Sequence, residues 1–278
     1  MEESDFVPHV IDFLGSRGFT VTAIPRTDKK TPDFEVTKEG ERFLLELKLK
    51  GPDLDEVTRE AAQMATGAII HRVEPLSPWD RLANIIRDGA VQLQTHDPNN
   101  QVLHLIWLHS WGHEDELLET LAPITLFGMA KLISSDFSGM MPCYYFRESS
   151  FFAQRNSLDA VISTRGQGHS LDLTLCINTH SPRIGTLRAS HIFQAFQGGL
   201  TDPIAMEAAC EIWVADCDVP RRDEQGVLAY LRKKYKVGDL QVMPMTQIIV
   251  GGNKEAWFRR QGVDPRVIDS LFEPRDEP

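Results

Sequence analysis

The stretch TPDFEVTKEGERFLLELKLK, residues 31–50, decides the fold and carries the chemistry. Runs rich in Phe, Val and Leu alternate with polar residues on either side of Glu39-Gly40, the pattern of two strands joined by a tight turn. With Glu39 and Gly40 as a two-residue loop, Lys38 faces Glu41, Thr37 faces Arg42, Val36 faces Phe43, and Asp33 faces Glu46. Side chains alternate between faces along a strand. One face therefore collects Phe34, Val36, Phe43, Leu45, Leu47 and Leu49. The other collects Asp33, Glu35, Thr37, Arg42, Glu46, Lys48 and Lys50, with Leu44 its single apolar member. A slip of one residue would turn the apolar set to solvent, so the register is well specified. Glu-Gly is a poorer two-residue turn than Asn-Gly, and a longer loop would move Asp33 off Glu46.

In this register the Cβ atoms of Asp33 and Glu46 lie roughly 5 Å apart, and like charges so placed repel. Lys48 shares their face. Two carboxylates beside one ammonium make a hard, oxygen-rich site suited to Mg²⁺ or Mn²⁺. The plainer alternative is an ordinary polar hairpin face, on which Glu46 and Lys48 form a surface pair contributing less than ~1 kcal/mol.

Pro32-Asp33, then twelve residues, then Glu46-Leu47-Lys48 resembles the PD-(D/E)xK phosphodiesterase superfamily, the restriction-endonuclease-like fold. The resemblance implies that Asp33 and Glu46 bind a divalent metal, with the Leu47 carbonyl as a further ligand. It implies that Lys48 orients the attacking water or stabilises developing negative charge. It also implies an α-β-β-β-α-β core with a mixed central sheet. The element order agrees. Residues 4–16 read as a helix with Phe6, Val10 and Phe13 on one stripe and Ser4 as N-cap; Pro8 is tolerable there only in the first turn. Phe19–Ile24 alternates like a strand, the hairpin follows, and residues 77–94 read as a helix with Ser77 as N-cap and Pro78 at its first position. Gln101–Leu108 is nearly all apolar, as a strand covered on both faces requires. Residues 51–76 intrude on this order, with a helix of their own expected over Asp55–Ile70. The family's first helix often supplies another acid. Here Glu3 is the candidate, and a charge favoured by the helix dipole is the alternative.

The totals, 278 residues with 42% apolar and 25% charged, are those of an ordinary soluble globular protein. No stretch approaches the ~18 apolar residues of a spanning helix, and the acidic opening MEESDF is the reverse of a secretory signal. Cys143, Cys176, Cys210 and Cys217 show no CxxC spacing, which points to reduced thiols and a cytoplasmic setting. A net charge of −11 opposes a nucleic-acid partner. Its distribution softens the objection: Arg26, Lys29 and Lys30 precede Asp33 and are placed to meet a phosphate backbone, or else form a solvated loop. Arg232, Lys233, Lys234 and Lys236 fit the end of a helix over Asp223–Tyr235, where basic residues suit the dipole.

The remainder divides less clearly. Residues 1–135 hold the nuclease-like core, and 136–278 form an α/β elaboration that stands apart or extends the same sheet. Helix is expected over Glu114–Ile133, broken near Pro123, with strands at Cys143–Phe146, Leu158–Ser163, Leu171–Asn178, Ile212–Ala215 and Gln247–Val250. RGQG (165–168) reads as a turn, and Ile192–Phe196 and Pro203–Ala209 as helices. His109 with His113, and Cys176 with His180, are pairs of metal-ligand and nucleophilic types. A loop between the histidines and an apolar setting for the cysteine argue against both. Asp159 and Asp172 have no evident partners. The expectation is a Mg²⁺- or Mn²⁺-dependent nuclease acting on DNA, and the alternative is a catalytically silent binding or regulatory protein of the same fold. Enzymes that cut both strands commonly dimerise, but no residue here marks an interface.

Overall fold

In the computed structural model, which describes residues 3–25, 31–51, 54–110, 113–167 and 170–251, the hairpin is the hub of a mixed sheet. The chain begins with α1 (Glu3–Gly15), β1 (Thr20–Ala23), β2 (Phe34–Lys38) and β3 (Glu41–Lys50). It continues through α2 (Leu54–Ala65), β4 (Ile70–Pro75), α3 (Asp80–His96) and β5 (Leu103–Ser110). Next come α4 (His113–Phe127), β6 (Ala130–Ile133), β7 (Met141–Tyr144), α5 (Ser150–Ala153), β8 (Ala160–Gln167) and β9 (Ser170–Ile177). The last elements are α6 (Ile184–Ala189), α7 (His191–Ala195), β10 (Leu200–Thr201), α8 (Pro203–Ala208), β11 (Trp213–Val214), α9 (Glu224–Tyr235), β12 (Gln241–Met243) and β13 (Thr246–Gly251).

The β2–β3 turn is the two-residue loop expected, with φ of 48° at Glu39 and 85° at Gly40, the positive pair a type I′ turn needs. The pairings Lys38 with Glu41, Thr37 with Arg42 and Val36 with Phe43 follow. Seven strands form the main sheet in the order β1-β2-β3-β5-β8-β9-β10. The β3–β5 and β5–β8 pairs are parallel, while β1–β2, β2–β3 and β8–β9 are antiparallel. The protein is thus α/β, with helices on both faces of a mixed sheet. Strands from both sides of residue 135 share this sheet, and β6 pairs with β7 across residues 134–140.

Phe6, Val10 and Leu14 of α1 cover one sheet face, with Leu187, Ile192 and Phe196, against Phe34, Val36, Phe43, Leu45 and Leu47. The opposite face is covered by Leu82, Ile86, Ala90 and Leu93 of α3 and by Ile124 and Phe127 of α4. Leu44 belongs to that second layer, 2% exposed beside Ile106 and Leu108. It is therefore a core residue, and the polar side of the hairpin is roofed by a helix. A smaller sheet, β11-β7-β6-β12, packs Val227, Leu228 and Leu231 of α9 in a third cluster, and β13 pairs with β4.

Several local expectations are corrected. Ser4 lies inside α1, and Pro8 sits beyond the first turn, where burial of Phe6 and Val10 offsets the lost bond. The N-cap of α3 is Trp79, with no side-chain cap; its own N–H donates to the Thr125 hydroxyl oxygen at 3.0 Å. Pro123 does not break α4, whose Leu121, Ala122 and Ile124 are all buried, and the last residues of the expected helix form strand β6 instead. Arg165–Gln167, expected as part of a turn, extend β8 instead. Ile70, expected to end the helix begun at Asp55, opens β4 instead, because β13 supplies a distant partner.

Candidate active site at the open end of the hairpin

The β2–β3 ladder stops at Phe34 and Leu45. Asp33 is the next residue out, level with Glu46, and its backbone oxygen still accepts from the Ile24 N–H at 2.9 Å. Its side chain takes the place of the missing strand. Asp33 Oδ2 accepts the Leu47 N–H at 2.8 Å, so an amide that would otherwise be orphaned in a central strand fixes the carboxylate. Glu46 points to the α3 side of β3 and is 1% exposed. Gly89 allows the helix to lie over it: a Cβ there would stand 2.9 Å from Ile106 Cδ1 and 3.5 Å from Glu46 Cγ.

Lys48 closes the group. Its ammonium donates to Glu46 Oε1 and, at 3.0 Å, to Gln92 Oε1 of α3. Gln92 Nε2 in turn donates to the Thr31 carbonyl at 3.4 Å, tying the helix to the approach to Asp33. Lysine has three N–H donors; two are engaged here.

The electrostatics distinguish Glu46 from an ordinary surface acid. Burial pushes its pKa up from 4.5 to about 7, Lys48 pulls the other way, and the negative charge of Asp33 adds to the rise. Its second oxygen, Oε2, is buried with no hydrogen-bond partner. An unsatisfied carboxylate oxygen beside a second carboxylate is costly unless a cation or proton joins it. The donor set of two carboxylate groups and a nearby backbone carbonyl fits a hard divalent ion. Among the described residues no group of three or more His, Cys, Asp and Glu is placed to hold a metal, so water and substrate oxygens would complete the coordination.

Asp33, Glu46 and Lys48 thus come together as the hairpin register requires, and Leu47 joins them through its amide. Glu3 opens α1. Arg26, Lys29 and Lys30 lie outside the described residues. Gln92 was not singled out by sequence: it flanks the apolar stripe of α3, where a polar residue reads as solvent-facing.

Burial argues against roles for His109 and Cys176. His109 is buried at the end of β5, stacked on Phe6 at 3.7 Å, and burial lowers its pKa to about 4. The Cys176 thiol is pushed up to about 12 by burial, and Asn178 donates to the carbonyls of Phe151 and Leu158. Asp159, however, does have partners: Ser181, Arg183 and the His104 N–H all reach it. Asp172 pairs with Arg165 at 3.2 Å.

No family model, curated protein or solved structure matches this chain. Among the described residues no helix is long and apolar enough to cross a membrane.

Proposed function

We propose that the chain is a metal-dependent nuclease of restriction-endonuclease-like fold that hydrolyses phosphodiester bonds in DNA. The observation that carries this reading is the buried, unpartnered Glu46 oxygen beside the Asp33 carboxylate. The parallel β3–β5 pair with α3 as its crossover supports the fold.

Mg²⁺ or Mn²⁺ held by Asp33, Glu46 and the Leu47 carbonyl would supply Lewis-acid stabilisation and an activated water. The protein's own part is positioning. The Leu47 amide orients Asp33, and the roof of α3 keeps Glu46 out of bulk water. Gln92 and Glu46 hold two of the Lys48 protons, which leaves the third to meet a phosphoryl oxygen as negative charge develops. Arg26, Lys29 and Lys30, just before Asp33 in sequence, are proposed to contact the phosphate backbone.

The Lys48–Glu46 pair favours one rival. If the ammonium already satisfies the acid, the same fold serves as a silent binding module. Incubation with single-stranded, duplex and branched DNA in Mn²⁺ and in chelator separates the two. Cleavage that needs metal and is lost in Asp33→Ala is expected. Cleavage that survives the substitution, or no cleavage together with no metal binding by calorimetry, would refute the nuclease.

A further inference from the structure

A second cavity, of about 260 Å³, is built from elements that contribute nothing to the Asp33 site. It opens where β7 and β11 end side by side. These strands run parallel, and the crevice beyond the carboxyl ends of parallel strands is where α/β folds bind ligands. The turn after β7 supplies Tyr145, Arg147 and Glu148, and α5 supplies Phe152. The loop after β11 supplies Cys217, Asp218 and Arg221.

Its charges are unusual. Arg221 donates to the carbonyls of Ala215, Cys217 and Val219 and to Cys217 Sγ, with no carboxylate among these partners. The half-buried Arg147 guanidinium has no hydrogen bond or ion pair among the described residues. Glu148 and Asp218, exposed on the rim, have none either. Four charged groups thus surround one small cavity without neutralising one another. Phe152 adds a ring 46% exposed, its position fixed by His180 at 5.1 Å and by the Arg155 guanidinium at 4.6 Å. Tyr145 holds a left-handed φ of 58° at the wall, a conformation retained mainly where surrounding structure enforces it.

We infer that this cavity binds a nucleoside monophosphate. Guanidinium groups recognise phosphate, an exposed aromatic ring stacks on a base, and carboxylates accept from exocyclic amino groups. This assignment does not rest on the nuclease reading, because it shares no residue with that site.

Calorimetry with AMP and CMP in chelator tests it, with inorganic phosphate and the matching nucleosides as controls. Each nucleotide should bind at least about tenfold more tightly than phosphate or nucleoside alone, since each end contributes separately. Arg147→Ala, which removes an unpartnered group and leaves the loop around Arg221 intact, should weaken binding about tenfold. Saturating nucleotide should also slow alkylation of Cys217 by iodoacetamide in the wild-type chain, read on the Cys217 peptide so that exposed Cys210 does not interfere. Asp33→Ala should leave nucleotide binding unchanged. No measurable binding, equal binding by Arg147→Ala, unprotected Cys217, or loss of binding in Asp33→Ala would each overturn the assignment.

Discussion

Two of the buried carboxylates, Asp159 and Glu46, are treated in opposite ways. Asp159, fully buried at the start of β8, has both oxygens saturated: Oδ1 by Ser181 and Arg183 Nε, Oδ2 by the His104 N–H at 2.7 Å and Arg183 Nη2 at 2.8 Å. Glu46 is as deeply buried, yet one oxygen has no partner and the other has only Lys48. An anion kept for structure has its hydrogen-bonding capacity filled. One with an oxygen left over, beside a second anion, is arranged for something that arrives later. The contrast locates the site more securely than burial alone.

Four experiments break or sharpen that contrast. The largest effect is expected at the saturated acid: Asp159→Ala strands the Arg183 charge and should cost about 3–5 kcal/mol in urea denaturation. Cleavage per folded molecule should not change, and a selective loss of cleavage would erase the distinction. At Asp33, the neighbour of the unsaturated acid, the loss falls mainly on chemistry. Asp33→Ala should lower the metal-dependent cleavage rate by about 10²–10³-fold, or about 3–4 kcal/mol of transition-state stabilisation, while the Leu47 amide left unpaired costs about 1–3 kcal/mol of folding stability.

The third test uses pH. The folded-state pKa of Glu46 is raised, so the folded chain holds that proton more tightly than the unfolded one. The resulting stability is fully present below 4.5 and is lost as pH rises through about 7. Glu46→Gln keeps the neutral form at every pH. It should be near neutral at pH 4.5 and stabilising by about 3 kcal/mol at pH 8, while abolishing cleavage. A gain that grows toward acid pH would contradict the assignment. The smallest effect is Gln92→Ala, which removes one partner of Lys48. It should cost under about 1 kcal/mol of stability but slow cleavage several-fold. A change in KM without one in kcat would make Gln92 a substrate-binding rather than a positioning residue.

What the sequence disclosed follows the range of the interactions. Asp33 and Glu46 were legible because a two-residue turn and a period-two pattern fix their register within twenty residues. Gln92 was not, because its place depends on how α3 rotates over β3, a packing choice made across forty-four positions of chain. The partners of Asp159 lie twenty-two, twenty-four and fifty-five residues away, and β4 finds β13 only at the far end of the described chain. Pro8 and Pro123 misled for a related reason: local propensity favoured a break, and burial of the neighbouring apolar face outweighed it. The helices expected over Pro203–Ala209 and Asp223–Tyr235, by contrast, were readable, since their caps at Asp202 and Asp223 are settled within three residues.

The order of strands has a consequence for when the protein becomes competent. β3 is held between β2 and β5, but β5 needs β8 on its far edge, and the α1 layer is completed by Leu187, Ile192 and Phe196. During synthesis the acids at 33 and 46 therefore emerge long before the wall that presses them together. A ribosome-bound chain lacking residues 160–201 would expose the edge of β5 with Leu105 and Trp107 incompletely covered. Under the proposed nuclease reading, hydrolytic capacity would be withheld until most of the polypeptide has been made, a delay written into topology rather than into any inhibitor.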